Sequence, residues 1–152
     1  MKSFILHKGI PTIKFSMLPD GIFYEGKLPE GDYALAVCPT NEKQIVVDID
    51  CKPGKTNGYS NVPPEIYSEL IESYHYYTKS GGMHIFLNYS GDKVLLNTTS
   101  KLAIDLRIGA NRETNNAGGY VKFNGTGDIR DYINDIKITS PELNLWLEKL
   151  FT

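Results

Sequence analysis

Short apolar stretches separated by turn residues fill the first quarter of the chain. Between residues 9 and 39 the apolar pieces TIKFSM, GIFYEG and YALAVC alternate with the turn signals Pro19-Asp20-Gly21 and Pro29-Glu30-Gly31. Such alternation is typical of antiparallel strands joined by hairpins. We therefore expect this region to form β-structure.

Further apolar runs, each bounded by turn residues, predict four more strands. They cover residues 44–50 (QIVVDID), 83–89 (MHIFLNY), 101–108 (KLAIDLRI) and 119–123 (GYVKF). The segments between them are rich in Gly, Asn, Ser and Thr, which favour turns. The pattern contains no internal repeat and no linker long enough to separate two domains.

Two segments show helical rather than strand periodicity. The first opens at Pro63-Pro64 and is predicted to run to about Tyr77, with apolar residues at helical spacing. The second follows Ser140, a suitable N-cap, with Pro141 in the first turn. Strands, a helix, more strands and a closing helix indicate an α+β domain, with helices packed on a mostly antiparallel sheet.

Composition limits the class of protein. The chain has 152 residues, 41% hydrophobic and 22% charged, which fits one globular domain over residues 1–152. No window approaches the ~20 apolar residues of a membrane span, and the apolar run at the N-terminus is too short for a signal peptide, so we expect a cytoplasmic protein without membrane contact. The net charge of -2 and the pI near 5.9 exclude a global basic field. Any nucleic-acid site must therefore be local.

Two aspartates interrupt the apolar strand at 44–50. Asp48 and Asp50 are two residues apart, so their side chains project from the same face of a strand. Like charges this close repel one another unless a cation lies between them, and carboxylate oxygens suit magnesium or manganese. The alternative is that they mark the strand end and cap the turn at Lys52-Pro53-Gly54. Taken alone, the pair leaves both interpretations open.

Two later segments favour the metal interpretation. In TKSGGMHIFL a glycine-rich turn with Lys79, Ser80, Gly81 and Gly82 precedes a strand that carries His84. Glycines let a backbone approach a ligand closely, and exposed N–H groups bind phosphate oxygens. A single histidine on an apolar strand is, however, often only a core residue.

The apolar run at 101–108 repeats the interruption. Asp105 lies within it, and Arg107 follows on the same face of the predicted strand. Together with the aspartate pair and the Gly-Gly-x-His turn, these residues suit a nucleoside triphosphate with its metal ions.

In this order the residues resemble the three motifs of the archaeo-eukaryotic primase superfamily, and most closely its bifunctional primase-polymerase branch of phages, plasmids and mobile elements. The three motifs are Asp48-x-Asp50, Gly82-x-His84 and Ile104-Asp105. YALAVC before the first motif, GGYVKF after the third and the final Pro-x-x-x-x-Trp-Leu helix agree with the likeness. It covers the chain from about Tyr33 to the end.

The resemblance implies an RRM-like catalytic core that uses two divalent ions, Mg²⁺ or Mn²⁺. Asp48, Asp50 and Asp105 would hold the metals, and His84 would contact the triphosphate of the incoming nucleotide. Catalysis would therefore involve the three aspartates and His84. We also expect nucleotide contacts from the backbone of Gly81 and Gly82 in the glycine-rich turn. Lys79, Ser80 and Arg107 are assigned to nucleotide binding by their proximity to the motifs.

The implied function is template-directed DNA primase and polymerase activity, a nucleotidyltransferase of phage or plasmid replication acting on single-stranded DNA and nucleoside triphosphates. The chain lacks a Walker motif and a cysteine cluster for zinc. We therefore expect a helicase or another replication protein as a partner, or a longer native chain. An alternative is a non-catalytic module on the same fold that binds nucleotide or single-stranded DNA. A metal-dependent nuclease is a third possibility.

Overall fold

The computed structural model describes residues 1–22, 24, 30–31, 33–41, 43–98, 100–110, 118–123 and 129–152. Within these residues the strands are β1 (Lys2–His7), β2 (Ile10–Pro11), β3 (Tyr33–Cys38), β4 (Gln44–Ile49), β5 (Cys51–Lys52), β6 (Thr56–Asn57), β7 (His75–Tyr77), β8 (Met83–Asn88), β9 (Ile104–Ile108), β10 (Val121–Lys122) and β11 (Lys137–Ile138). The α-helices are α1 (Pro64–Leu70) and α2 (Pro141–Phe151), and short 3₁₀ helices cover Phe15–Met17, Gly58–Asn61 and Ile129–Asp135.

The central sheet has the strand order β11-β8-β4-β9, and β7 also pairs with β8. All its pairings are antiparallel except that of β11 with β8. β4 is bonded on both sides, and its apolar residues are fully buried on both faces of the sheet. Its position explains why its sequence reads as an almost continuous apolar run.

A second sheet, with strand order β10-β3-β1-β2, packs on one face of the central sheet. Val46 and Phe86 from the central sheet meet Val37 and Val121 there. Residues of the other face of the central sheet, such as Val47, pack with helix residues of α1 and α2. The fold is therefore α+β, as predicted, with mostly antiparallel sheets.

Three of the predicted strands are confirmed almost in full: YALAVC is β3, and the runs at 44–50 and 83–89 form β4 and β8. The run at 101–108 starts as a strand only at Ile104, because Ala103 adopts a left-handed conformation with a φ of 58°. In TIKFSM, the residues Phe15–Met17 form a 3₁₀ helix instead of a strand. The GIFYEG piece lies largely outside the described residues.

The first predicted helix is too long at its C-terminal end. α1 ends at Leu70, and His75–Tyr77 form β7, paired with β8. Between them, the buried Ser73 hydroxyl donates to the Phe86 carbonyl, and the Lys137 N–H donates to Ser73. These bonds tie the chain to the edge of the central sheet, so tertiary pairing overrides the helical spacing of the apolar residues.

The closing helix is confirmed at its start. Ser140 Oγ accepts a hydrogen bond from the Leu143 N–H, and Pro141 occupies the first turn. Among the described residues, neither helix has the length and apolar character that crossing a membrane would require.

Candidate functional site

The strand register brings three of the predicted site residues into one row. Asp48 on β4 lies opposite His84 on β8 and, on its other side, opposite Asp105 on β9. Residues directly opposite one another in adjacent strands share a face of the sheet. The three side chains are therefore neighbours, on the face that packs towards the second sheet.

Burial of the row differs from that of the apolar residues around it. The side chains of Asp48, His84 and Asp105 are 16%, 10% and 12% exposed. The neighbouring β4 residues Val47 and Ile49 are fully buried on the opposite face. The polar row is thus partly desolvated but still open to solvent, which suits a site for a charged ligand.

His84 is held by contacts at both ring nitrogens. Its Nε2 lies 3.3 Å from Asp48 Oδ1, and its Nδ1 lies 3.0 Å from the Tyr76 hydroxyl. The Tyr76 hydroxyl donates its hydrogen to the Lys122 carbonyl at 2.8 Å. Because that hydrogen is already used, Nδ1 of His84 acts as the donor to Tyr76. Tyr76 thereby fixes the orientation of the imidazole ring.

Asp105 has a cationic neighbour on its own strand. Arg107 Nη2 lies 3.7 Å from Asp105 Oδ2, which confirms that the two side chains share a face. Burial raises the pKa of the Asp105 carboxyl, Arg107 lowers it, and Asp50 and Asp48 raise it further. The three carboxylates therefore act on one another electrostatically.

Asp50 lies just beyond β4. Its N–H donates to the Ala103 carbonyl, and its own carbonyl accepts from Gly58, so its backbone is fixed next to the start of β9. Burial raises the pKa of Asp50, and the charge on Asp48 raises it further. Asp50 thus belongs to the same electrostatic group as Asp48 and Asp105.

The carboxylates fit a Mg²⁺ or Mn²⁺ site in their chemistry. They are hard oxygen ligands, and their mutual repulsion would be relieved by a cation. In the described part of the chain, however, no three or more Asp, Glu, His or Cys side chains are gathered closely enough to hold a metal ion. Asp48 is turned to His84, and Asp105 to Arg107. Metal binding would require both carboxylates to turn away from these partners.

A groove of about 240 Å³ opens beside His84. It is lined by Tyr76, Thr78, Lys79, His84 and Lys122. Two lysines and a histidine on one groove provide donors and positive charge for phosphate oxygens. The sequence indicates Lys79 and His84 but not Tyr76 or Lys122. Lys122 lies in the GGYVKF segment, whose likeness to the primase-polymerase family already pointed to this part of the chain. Tyr76 can be assigned to the groove only when residues 75–77 are known to form the strand β7.

The glycine turn has a structural requirement of its own. A Cβ on Gly82 would lie 2.4 Å from the Ile49 carbonyl oxygen, so the close approach seen at Gly82 is to the backbone of β4. Gly81 has a φ of 94°, and its N–H donates to Thr78 within the turn. Ser80 is exposed, with its hydroxyl 3.4 Å from that of Thr78. Of the turn residues predicted to contact nucleotide, only Lys79 lines the groove beside His84.

Comparisons of the chain with protein-family models, with curated proteins and with solved structures found no match. A function must therefore be inferred from the residues of the site itself.

Proposed function

We propose that the chain is a metal-dependent nucleotidyltransferase, the core of a DNA primase-polymerase that acts on a single-stranded DNA template. The observation that carries this proposal is the alignment of Asp48, His84 and Asp105 across three adjacent strands. Three sequence segments far apart in the chain contribute one polar residue each to the same row. If Asp48 and Asp50 only marked the end of a strand, there would be no reason for His84 and Asp105 to lie beside Asp48.

The proposed reaction joins the 3′-hydroxyl of a primer to the α-phosphate of a nucleoside triphosphate and releases pyrophosphate. Bound Mg²⁺ or Mn²⁺ ions would neutralise the triphosphate and activate the hydroxyl. Asp48, Asp50 and Asp105 would hold these ions. Burial raises the pKa of Asp105, and the charge of Arg107 opposes that rise, which favours the ionised form that a metal ion needs.

The groove beside His84 would receive the triphosphate. Lys79 and Lys122 supply charge, and the imidazole of His84 lies beside them in the lining of the groove. Tyr76 keeps the ring of His84 in place through Nδ1. These residues would position the phosphates. Positioning and charge neutralisation account for most of the catalysis of phosphoryl transfer. The mostly antiparallel central sheet, with helices on one face, supports the proposal of an RRM-like primase core.

A non-catalytic module that binds nucleotide or single-stranded DNA is the second candidate. It is favoured by the contact of Asp48 with His84, which occupies a carboxylate that the enzyme needs for metal. The acidic pI also favours a partner protein, such as a helicase, that supplies further grip on DNA. In this case nucleotide would bind in the groove beside His84 without being joined to a primer.

The deciding experiment measures incorporation of labelled nucleotides on a single-stranded template with Mn²⁺ or Mg²⁺, with and without a primer. The wild type is compared with Asp48→Ala/Asp50→Ala and with Asp131→Ala, a control at an exposed position of the 3₁₀ helix Ile129–Asp135. We expect metal-dependent product from the wild type and the control only. Nucleotide binding without product would favour the accessory module, and loss of template without added nucleotide would indicate a nuclease.

A further inference from the structure

A second groove, of about 540 Å³, lies on the other side of the glycine turn. Its lining residues are Tyr59, Val62, Pro64, Tyr67, Tyr77 and Gly81. Tyr77 follows Tyr76 along β7 and projects to the opposite face of the strand, so this groove lies on the helix side of the sheet. We call it the tyrosine groove.

The aromatic rings of the tyrosine groove are held in place but remain accessible. The Tyr59 hydroxyl donates to the Gly81 carbonyl at 2.8 Å, and the Tyr59 and Tyr67 rings meet edge to face at 6.2 Å. Tyr67 is hydrogen-bonded to Tyr77, which is 60% exposed. Burial raises the pKa of Tyr59 to about 12, so its phenol stays uncharged at neutral pH. The groove thus presents ordered, neutral aromatic surface.

Exposed lysines lie on the segments that border the tyrosine groove. The β5–β6 hairpin carries Lys52 and Lys55, and a Cβ on Gly82 would lie 3.4 Å from the N of Cys51, so the hairpin abuts the glycine turn. The turn itself carries Lys79. Opposing them is Glu65, which follows Pro64 in the first turn of α1. Asp50, directly before the hairpin, adds a second carboxylate. Three lysines thus face two acidic side chains, although the whole chain is acidic.

We propose that the tyrosine groove binds a single-stranded polynucleotide, with bases stacked on its rings and phosphates facing Lys52, Lys55 and Lys79. Uncharged aromatic surface beside basic residues is the arrangement that holds single strands with little sequence preference. Unpaired bases are required, since paired bases do not expose their faces. This inference rests on the proposed function, for which it supplies the surface that grips the template.

The glycine turn connects the two grooves. Thr78 and Lys79 line the groove beside His84, and Gly81 lines the tyrosine groove. A strand held on the tyrosine groove therefore passes the turn before it reaches the carboxylates. Lys79 would contact phosphates of the triphosphate in the groove beside His84 or of the strand bound in the tyrosine groove.

The first test measures the affinity for a fluorescent oligothymidylate of about 12 nucleotides, within the usual site size for such surfaces, by anisotropy in EDTA. Loss of one stacking ring in Tyr77→Ala should weaken binding about five-fold or more. Tyr77→Phe keeps the ring and should bind like the wild type. Equal affinity of Tyr77→Ala and the wild type would overturn the proposal, with circular dichroism confirming that the variant is folded.

The second test uses salt dependence, which reports phosphate contacts. Lys52→Gln and Lys55→Gln should each reduce the slope of log affinity against log salt concentration by about 0.7, the value for one phosphate contact on a single strand. Lys137→Gln is the matched control, because Lys137 pairs with Leu87 near the other end of β8 from the glycine turn. If both hairpin variants keep the salt dependence of the wild type, the phosphates of the bound strand do not contact Lys52 and Lys55, and this part of the proposal is wrong.

Failure of this inference is distinguishable from failure of the proposed function. Binding of Mn²⁺ and deoxyadenosine triphosphate by the wild type, together with no binding of the oligonucleotide, would overturn the tyrosine groove alone. If the wild type binds neither the nucleotide nor the oligonucleotide, both the proposed function and the tyrosine groove proposal are overturned. Dimerisation of the wild type in sedimentation, abolished by Tyr77→Ala without oligonucleotide binding, would instead assign the groove to a second copy of the chain.

Discussion

Replacing Asp50 by asparagine removes one negative charge from the carboxylate group at nearly constant volume. Asp50 is two residues from Asp48 on an extended chain, which separates them by about 6.6 Å. Burial and the charge on Asp48 both raise the pKa of Asp50, whereas Lys52 lowers it. An ionised Asp50 therefore costs the folded state free energy when no metal is bound. We expect Asp50→Asn to stabilise the metal-free protein.

The size of the effect follows from Coulomb's law. At this separation two unit charges repel by about 0.6 kcal/mol in water and by about 2.5 kcal/mol at an effective dielectric constant of 20. Asp50 is only partly buried, and the substitution also removes its attraction to Lys52, so the net gain lies near the lower figure. We expect about 0.5 to 1 kcal/mol, which for a chain of this length raises Tm by about 1 to 4 °C.

The pH dependence has a defined sign. Because the pKa of Asp50 is raised in the folded state, the folded protein binds this proton more tightly than the unfolded chain does. The penalty is absent below the ordinary aspartate pKa of about 3.9 and develops as the pH rises from there through the raised value. The stability difference between Asp50→Asn and the wild type should therefore be full at neutral pH and shrink on acidification.

The assay is thermal unfolding in EDTA and in Mn²⁺, followed by circular dichroism. A ligand that binds only the folded state raises Tm, so the wild type should gain stability from Mn²⁺ and Asp50→Asn should gain less. Asp131→Asn, at an exposed position, should match the wild type in both buffers. If Asp50→Asn melts below the wild type in EDTA and gains as much from Mn²⁺, the reasoning about the carboxylate group is wrong.

Three further substitutions test the framework of the site. Gly82→Ala should lower the free energy of unfolding in urea by about 2 kcal/mol or more, because its Cβ would press on the Ile49 carbonyl, which cannot move without disturbing β4. Phe86→Ala should cost about 3 to 5 kcal/mol by the same measurement, since this fully buried ring fills the space between the two sheets. Tyr76→Phe should cost about 1 kcal/mol and lower nucleotide incorporation, because it frees the ring of His84.

Two of these substitutions have a matched control. Ile138→Ala, at a position 72% exposed, should leave stability within about 0.5 kcal/mol of the wild type, in contrast to Phe86→Ala. Tyr120→Phe removes an exposed hydroxyl bond to Gly9 and should not affect incorporation. Gly82→Ala with wild-type stability would mean that the glycine turn does not lie against β4, and full incorporation by Tyr76→Phe would remove Tyr76 from the positioning of His84.

Buried strands with a continuous apolar run were predictable from the sequence. β4 and β8 were predicted within a residue or two, and the two-residue alternation placed Arg107 on the same face as Asp105. The N-cap of α2 was also predictable, because Ser140 and Pro141 act locally. In each case the signal and its structural cause lie within a few residues of one another.

Elements that depend on distant partners were not predictable. β7 follows from pairing with β8 and from the Ser73 bonds to Phe86 and Lys137, none of which the local pattern reveals. The strands β1 and β11 are similarly defined by their neighbours in the sheets. For this reason the sequence indicated the carboxylates and His84 as candidates but not Tyr76, which reaches the site through β7. Lys122 lies in the predicted strand at 119–123, but the pairing of β10 with β3 that positions it could not be predicted from the local pattern.

The row across β8, β4 and β9 has a consequence for how the gene can change. In a strand, inserting or deleting one residue turns every following side chain to the opposite face. A single-codon insertion before Asp48 within β4 would bury the carboxylate on the helix side and bring apolar residues to the site. Length variation should therefore be tolerated in the connecting segments and excluded from these three strands. A library of single-residue insertions, scored for folding and for nucleotide incorporation, would trace the boundaries of the row along the chain.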